Sequence, residues 1–220
     1  MAPRRKPTSV CPWWPLRWWS LRLLWLPLLS LPLLWLAGAA HAADDGSLIA
    51  GVFTPPRLAP EFMLRGSDGG ALRLSRYRGK VVVLAFGYTS CTEVCPVTLG
   101  ILATARKQLG GAADGVQVIY VTVDPDRDNV QRMHQFLAAF DPSFMGATGT
   151  PEQLAAVRGQ YGITVSNKMP IPGGYVLSHS SFVYLIDRGG QLRALMPFGH
   201  DAADFAHDLR ILLQQQRAHP

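Results

Sequence analysis

Cys91 and Cys95 stand four residues apart in the stretch FGYTSCTEVCPVTLG, residues 86–100, and Pro96 follows the second cysteine. Thiolates are nucleophiles, redox-active groups and ligands for soft metal ions. The spacing places both side chains on one face if the intervening turn is helical. The pair is therefore able to close as a disulfide or to bind one ion through both sulfurs, and the spacing alone leaves that choice open.

Two thiolates make an incomplete metal site, and histidine is the first candidate for a third ligand. Beyond residue 42 the chain has five histidines. We expect His134, His200, His207 and His219 to be solvated or to pack, because they lie in or near polar helical segments. His179 differs, because it lies between a Gly-rich loop and the last apolar hairpin, where loop residues often carry function. A loop histidine that only makes hydrogen bonds is the alternative for this position.

The elements on either side of the cysteine pair must position it. The run KVVVLAFGY, residues 80–88, is apolar and rich in β-branched residues, which predicts a central strand covered on both faces. Pro96 suits the first turn of a helix over residues 96–109, and Gly110-Gly111 ends that helix. The N–H groups and dipole at the start of a helix stabilise negative charge, so we predict a lowered pKa for Cys95.

The rest of the chain alternates strand and helix patterns. The predicted elements are a hairpin around residues 66–70, a buried strand over 116–124, helices over 129–140 and 150–162, a hairpin of strands 181–187 and 192–198, and a helix over 201–216. In the second of these helices, Thr150 is the predicted N-cap and Pro151 the first helical residue. This order predicts an α/β fold, with a mixed central sheet flanked by helices and an N-terminal hairpin.

The first 42 residues are typical of an export leader. Arg4, Arg5 and Lys6 precede an uncharged apolar run at residues 23–40, and Ala40-His41-Ala42 fits a signal peptidase site. We predict cleavage after Ala42. An uncleaved membrane anchor is the alternative, because 18 apolar residues are near the lower limit for spanning a bilayer.

Both outcomes predict an extracytoplasmic, periplasmic domain, where two thiols can persist as a disulfide, tethered to the inner membrane if the anchor is kept. The predicted organisation is a leader over residues 1–42, a linker over 43–58 and a folded domain over 59–217.

The positive net charge of the chain comes from the leader. Residues 1–42 hold five of the 21 basic side chains and no acidic ones, which leaves 16 basic against 15 acidic side chains in the remainder. A nucleic-acid-binding domain would need a basic face of its own. We therefore expect no nucleic-acid partner.

Three separated motifs, FGYTSCTEVCP, VTVDPDRDN and GYVLSHSSFVYLID, resemble the SCO/SenC family of copper chaperones in their order and distances. The resemblance covers roughly residues 48–215. It implies a thioredoxin-like fold, an exported domain and copper bound by Cys91, Cys95 and His179. Soft thiolates favour Cu(I), and an added imidazole tolerates Cu(II) as well. Zinc would also accept these ligands with a water molecule.

The chain departs from the family pattern between the cysteines. The family commonly has Pro-Asp-Val or Pro-Asp-Ile there, whereas this chain has Thr92-Glu93-Val94. Glu93 keeps an acidic group that is able to contact the histidine segment or a partner. Asp124 resembles a family acidic residue with the same two roles, and an ordinary turn cap before Pro125 is its alternative. Met169 offers a thioether as a fourth soft ligand, although a packing role is more usual for methionine.

The leading hypothesis is an exported metallochaperone, without enzymatic turnover, that delivers copper to a respiratory haem–copper oxidase during cytochrome c oxidase assembly. Other copper chaperones and thiol–disulfide reductants are further expected partners. A thiol–disulfide oxidoreductase is the second hypothesis, although its usual motif has one residue fewer between the cysteines. A peroxide-reducing enzyme ranks third. A structural staple ranks last, because closing so short a loop removes little chain entropy.

Overall fold

The computed structural model describes residues 46–215, and the predicted leader, its cleavage site and His219 lie outside them. The strands are β1 (Gly51–Leu58), β2 (Met63–Gly66), β3 (Ala71–Arg73), β4 (Val81–Gly87), β5 (Val116–Thr122), β6 (Met145–Thr148), β7 (Met169–Ile171), β8 (Gly174–Val176), β9 (Val183–Ile186) and β10 (Gln191–Met196). The helices are α1 (Val94–Leu109), α2 (Val130–Ala138), α3 (Pro151–Tyr161) and α4 (Ala202–Gln215). Within the described range, no helix has the length and apolarity needed to cross a membrane.

Within residues 46–215, eight strands form one mixed sheet in the order β1-β10-β9-β4-β5-β6-β2-β3. Strands β4, β5 and β6 run parallel, and the strands on either side of them pair antiparallel. Helix α1 packs against α4, and α2 packs on β6. This is the predicted mixed α/β architecture.

Strands β4 and β5 form the centre of the sheet, and every residue in both is buried. Their uninterrupted apolar sequences predict this position, because a strand covered on both faces has no polar side to present to water. Gly87 and Thr122 are register partners at the ends of the two strands. The loops that follow these strands therefore leave the sheet side by side, as the carboxyl ends of parallel strands do.

The helix starts follow local capping chemistry. The side chain of Asn129 caps α2, and Thr150 with Gln153 forms a capping box at the start of α3, which confirms Thr150 as N-cap. Helix α1 begins at Val94, with Glu93 in the N-cap position, and not at Pro96 as predicted. Cys95 therefore lies inside the first turn, where Pro96 is still tolerated because its missing N–H has no helical partner there.

The linker predicted over residues 43–58 is wrong for Gly51–Leu58, which form the edge strand β1. This strand pairs with β10, and its register shifts between Val52 and Arg57. The shift spans Pro55 and Pro56, whose lack of an N–H is tolerated on an edge strand. Proline and small residues indicate a linker by composition, but the open edge of β10 supplies hydrogen bonds that composition does not reveal.

Strands β6, β7 and β8 are not predicted by the sequence pattern. β6 is the short segment MGAT, which is held because it pairs with both β5 and β2. β7 and β8 form a small separate hairpin around Pro172-Gly173, ahead of His179. The Gly-rich segment before the histidine is therefore a turn of defined structure.

Candidate metal centre

The two cysteines lie where β4 passes into α1. Cys91 is half-buried in the connecting loop, and Cys95 is 3% exposed in the first turn of the helix. Both are free thiols. The Cys95 side chain has the largest influence on the pKa of Cys91, so the two thiols lie close together, as the four-residue spacing predicts.

His179 reaches the same place from the segment that connects β8 to β9. Its Nε2 lies 3.6 Å from Cys95 Sγ, and its Nδ1 lies 2.9 Å from the carbonyl oxygen of Ser180. A carbonyl only accepts hydrogen bonds, so Nδ1 carries the proton, and Nε2, which faces Cys95 Sγ, keeps a free lone pair. This is the tautomer that a metal ligand needs.

Cys91, Cys95 and His179 lie near one another, but their donor atoms do not surround a common point. Among residues 46–215, no three His, Cys, Asp or Glu side chains already form a metal-binding group. An open cavity of about 320 Å³ lies beside them, lined in part by Cys91, Glu93, Met169 and His179. A metal ion bound here would be held by Cys91, Cys95 and His179.

The predicted lowering of the Cys95 pKa is wrong, because the thiolate forms on Cys91 instead. The hydrogen bond from the Cys95 thiol, more than any other contact, lowers the pKa of Cys91 to about 5. The same hydrogen bond and burial raise the pKa of Cys95. The pair shares one proton, and the charge lies on the more exposed sulfur because desolvation disfavours it on the buried one.

This asymmetry predicts selective alkylation. In the reduced, metal-free protein, iodoacetamide should modify Cys91 at pH 7 and spare Cys95. The rate should fall only as the pH drops through about 5, because the lowered pKa of Cys91 preserves its thiolate down to that value. Peptide mapping after short exposures from pH 4 to pH 9 would measure this. Faster labelling of Cys95, or a midpoint for Cys91 near that of a free thiol, would contradict the assignment.

Asp128 anchors the start of the cysteine loop. It is fully buried and accepts hydrogen bonds from the Thr89 N–H, the Thr89 hydroxyl and the Thr122 hydroxyl. Arg132 on α2 adds a hydrogen bond to the Thr89 hydroxyl at 2.6 Å. Asp128 is not predicted as a site residue from the sequence, although the acidic residues of the VDPDRD motif are a signal for it.

Asp124 contacts the segment that leads to His179. Its carboxylate is 2% exposed, accepts a hydrogen bond from the Tyr175 hydroxyl at 2.7 Å and forms an ion pair with Arg127. Arg127 also donates to the Tyr175 carbonyl oxygen at 2.9 Å, and its guanidinium lies 3.7 Å from the centre of the Tyr175 ring. Of the two roles considered for Asp124, the structure places its side chain against the histidine segment.

Tyr88 connects the two halves of the site. Its hydroxyl donates to the Leu177 carbonyl oxygen at 3.1 Å and accepts from the Leu177 N–H at 3.3 Å. Its ring packs edge-on against the His179 ring, with centroids 6.0 Å apart. Tyr88, just before the cysteine loop, therefore holds the backbone at Leu177, just before His179.

The remaining predicted residues divide by position. Glu93 is exposed beside the cavity, and its side chain does not cap α1. Met169 lines the same cavity and is 42% exposed.

The other described histidines lie elsewhere: His134 is exposed on α2, His200 pairs with Asp204 and His207 contacts Asp208. These three histidines are not among the described residues that line the cavity beside Cys91 and His179.

Comparison with known proteins identifies the family. A family model described as SCO1/SenC matches residues 53–214. The chain belongs to the SCO1/SenC family. The resemblance carried by the three sequence motifs is thereby confirmed.

Other SCO1/SenC proteins share both sequence and fold with this chain. A Rickettsia felis SCO2-like protein is 30% identical over 158 residues, which cover 71% of this chain and 73% of that protein. The mitochondrial SCO1 homolog 1 of Arabidopsis thaliana is 33% identical over 127 residues, 57% of this chain but 38% of the longer relative. The structure of Bradyrhizobium japonicum ScoI with copper bound is 32% identical, with a TM-score of 0.65, and the match covers 71% of this chain and 99% of that one. This likeness confirms the thioredoxin-like fold.

Proposed function

We propose that the protein is an exported copper chaperone that binds copper through Cys91, Cys95 and His179. It delivers the metal to a respiratory haem–copper oxidase during cytochrome c oxidase assembly. The observation that carries this proposal is that Cys95 Sγ and His179 Nε2, 84 residues apart in the chain, lie 3.6 Å from each other, while Cys91 and His179 line one open cavity. The copper bound in the related Bradyrhizobium japonicum ScoI supports copper as the metal.

The donor set suits copper as a transported ion. Two thiolates favour Cu(I), and the imidazole extends the site to Cu(II). Loading displaces the proton that the two thiols share, because only thiolates bind the metal. The hydrogen bond from His179 Nδ1 to the Ser180 carbonyl oxygen keeps the ring oriented while Nε2 exchanges its partner.

Delivery requires that the ligands of a recipient replace those of the chaperone one after another. Cys91 and His179 border the open cavity, whereas Cys95 is buried. An incoming ligand would therefore displace Cys91 or His179 first and Cys95 last. The exposed Glu93 and Met169 at the rim are positioned to meet that partner.

An extracytoplasmic location accompanies this function. The leader over residues 1–42 supports export, either as a cleaved signal or as a membrane anchor. In that compartment the free cysteines need a thiol–disulfide reductant to remain able to bind copper, because a disulfide leaves His179 as the remaining ligand. Other copper chaperones are candidate donors of the metal.

The test is a Cu(I) titration of the reduced protein against a competing chelator. The wild type should bind one equivalent, and His179→Ala should bind at least about tenfold more weakly, because removing one ligand leaves two thiolates. His134→Ala is the matched control, since His134 is exposed on α2, and should bind as the wild type does. Equal binding by the wild type and His179→Ala would refute the ligand assignment, and failure of the wild type to bind would refute the function. A loaded wild type should then lose its copper to the copper-binding subunit of an oxidase.

A thiol–disulfide oxidoreductase is the second candidate, and the lowered pKa of Cys91 favours it. A half-exposed thiolate beside a buried thiol can attack a substrate disulfide, and the second thiol can then resolve the mixed disulfide. This chemistry uses no imidazole ligand. Disulfide reduction that survives in His179→Ala, together with unchanged copper binding, would favour this candidate.

A further inference from the structure

Tyr120 on β5 has a buried hydroxyl without a hydrogen-bond partner. The residue is 1% exposed, and its hydroxyl forms no hydrogen bond with any described residue. Buried polar groups are nearly always paired, because an unpaired one loses its water without compensation. A phenylalanine would fill the same space without that cost, so the hydroxyl calls for an explanation.

The hydroxyl points to the metal centre. Tyr120 lies on the strand next to Gly87, and the position that a Cβ of Gly87 would occupy is 2.0 Å from the Tyr120 oxygen and 2.8 Å from Cys95 Sγ. The absence of a side chain at residue 87 therefore leaves the space in which the hydroxyl and the sulfur approach each other. Cys95, Tyr120 and His179 also line one cavity of about 10 Å³, the lower limit for a single water molecule.

We propose that the Tyr120 hydroxyl donates a hydrogen bond to the Cys95 sulfur when that sulfur is a metal-bound thiolate. Tyr120 is then a positioning residue for a ligand, and it does not itself bind the metal. This inference rests on the proposed function, because it assigns a role to Tyr120 in the copper-bound state. A neutral thiol is a weak acceptor, whereas a thiolate is a strong one, so loading converts an unpaired buried donor into a paired one.

Two consequences follow for the metal. The bond stabilises the loaded state relative to the empty one, so it increases copper affinity. It also withdraws electron density from the sulfur, which raises the energy of the sulfur-to-Cu(II) charge-transfer transition. Hydrogen bonds to ligand atoms tune metal sites in this manner.

The experiment compares Tyr120→Phe with the wild type in the empty and loaded states. The empty variant should have a melting temperature equal to or above that of the wild type, because it loses an unpaired polar group. Its Cu(I) affinity should fall about tenfold, which corresponds to about 1.4 kcal/mol. Its Cu(II) charge-transfer band should move to longer wavelength with unchanged intensity, since the ligands themselves are retained.

Tyr161→Phe is the matched control. Tyr161 is also buried, but its hydroxyl donates to the Pro60 carbonyl oxygen at 2.8 Å. This variant should melt below the wild type and bind copper normally. If Tyr120→Phe melts lower in the same way, or binds copper with the wild-type affinity and spectrum, the proposed hydrogen bond is refuted. If the wild type itself binds no copper, the proposed copper-chaperone function is refuted. That result differs from a wild type that binds copper and a Tyr120→Phe variant that binds it equally well, which would refute only the hydrogen bond.

Discussion

Asp128→Ala is expected to lower the free energy of unfolding by about 3–5 kcal/mol and to weaken copper binding. The substitution leaves the Thr89 N–H, the Thr89 hydroxyl and the Thr122 hydroxyl without their acceptor in a buried position. Each such loss costs about 1–3 kcal/mol, which is large against a total stability of about 5–15 kcal/mol. Copper binding weakens as well, because Thr89 fixes the backbone two residues before Cys91. Urea unfolding of the metal-free protein and the Cu(I) titration measure the two effects.

The same turn provides the control. Asp126 pairs with Lys168, and both side chains are more than half exposed. Asp126→Ala should leave stability and copper affinity close to those of the wild type, because an exposed ion pair contributes little. Asp128→Asn keeps one acceptor oxygen and should give an intermediate loss. Equal effects of Asp126→Ala and Asp128→Ala would show that overall charge, and not the buried hydrogen bonds, determines the result.

Arg127→Ala is expected to lower copper affinity by tenfold or more. Arg127 binds the Asp124 carboxylate, the Tyr175 carbonyl oxygen and the faces of the Tyr175 and Tyr88 rings. Its loss releases the hairpin before His179, and reordering one residue costs about 1–2 kcal/mol, roughly a factor of ten in affinity. It also leaves the buried Asp124 carboxylate without its cation, which destabilises the empty protein. The Cu(I) titration and thermal unfolding measure both consequences.

Two further variants isolate the cause. Lys168 also lies over the Tyr175 ring, at 4.8 Å, but from an exposed position. Lys168→Ala should therefore have a small effect. Asp124→Asn combined with Arg127→Ala should recover part of the lost stability, because the uncompensated charge is gone, but should not recover copper affinity. Full recovery of affinity in the double variant would contradict a role in holding the histidine segment.

The central part of the fold is predictable because its signals are local. The uninterrupted apolar runs of β4 and β5 require burial on both faces. The side chain of Thr150 caps α3 by accepting a hydrogen bond from the backbone N–H of Gln153, only three residues further along the chain. Strands β1 and β6 escape prediction because partner strands distant in sequence hold them in place. Proline-rich or small-residue segments become strands when a sheet edge offers them hydrogen bonds.

For the site, residue types and spacing along the chain reveal which donors are available: two thiols at helical spacing, and a histidine after a Gly-rich segment. Which sulfur is charged depends on the folded environment: burial and the interaction with Cys91 raise the pKa of Cys95, so the thiolate forms on Cys91. The fold also brings Asp124 and Arg127 into contact with Tyr175, Asp128 into contact with Thr89, and the Tyr120 hydroxyl close to the Cys95 sulfur. Desolvation, hydrogen-bond partnership and close approach depend on atoms brought together from distant parts of the chain, and no spacing along the sequence encodes them.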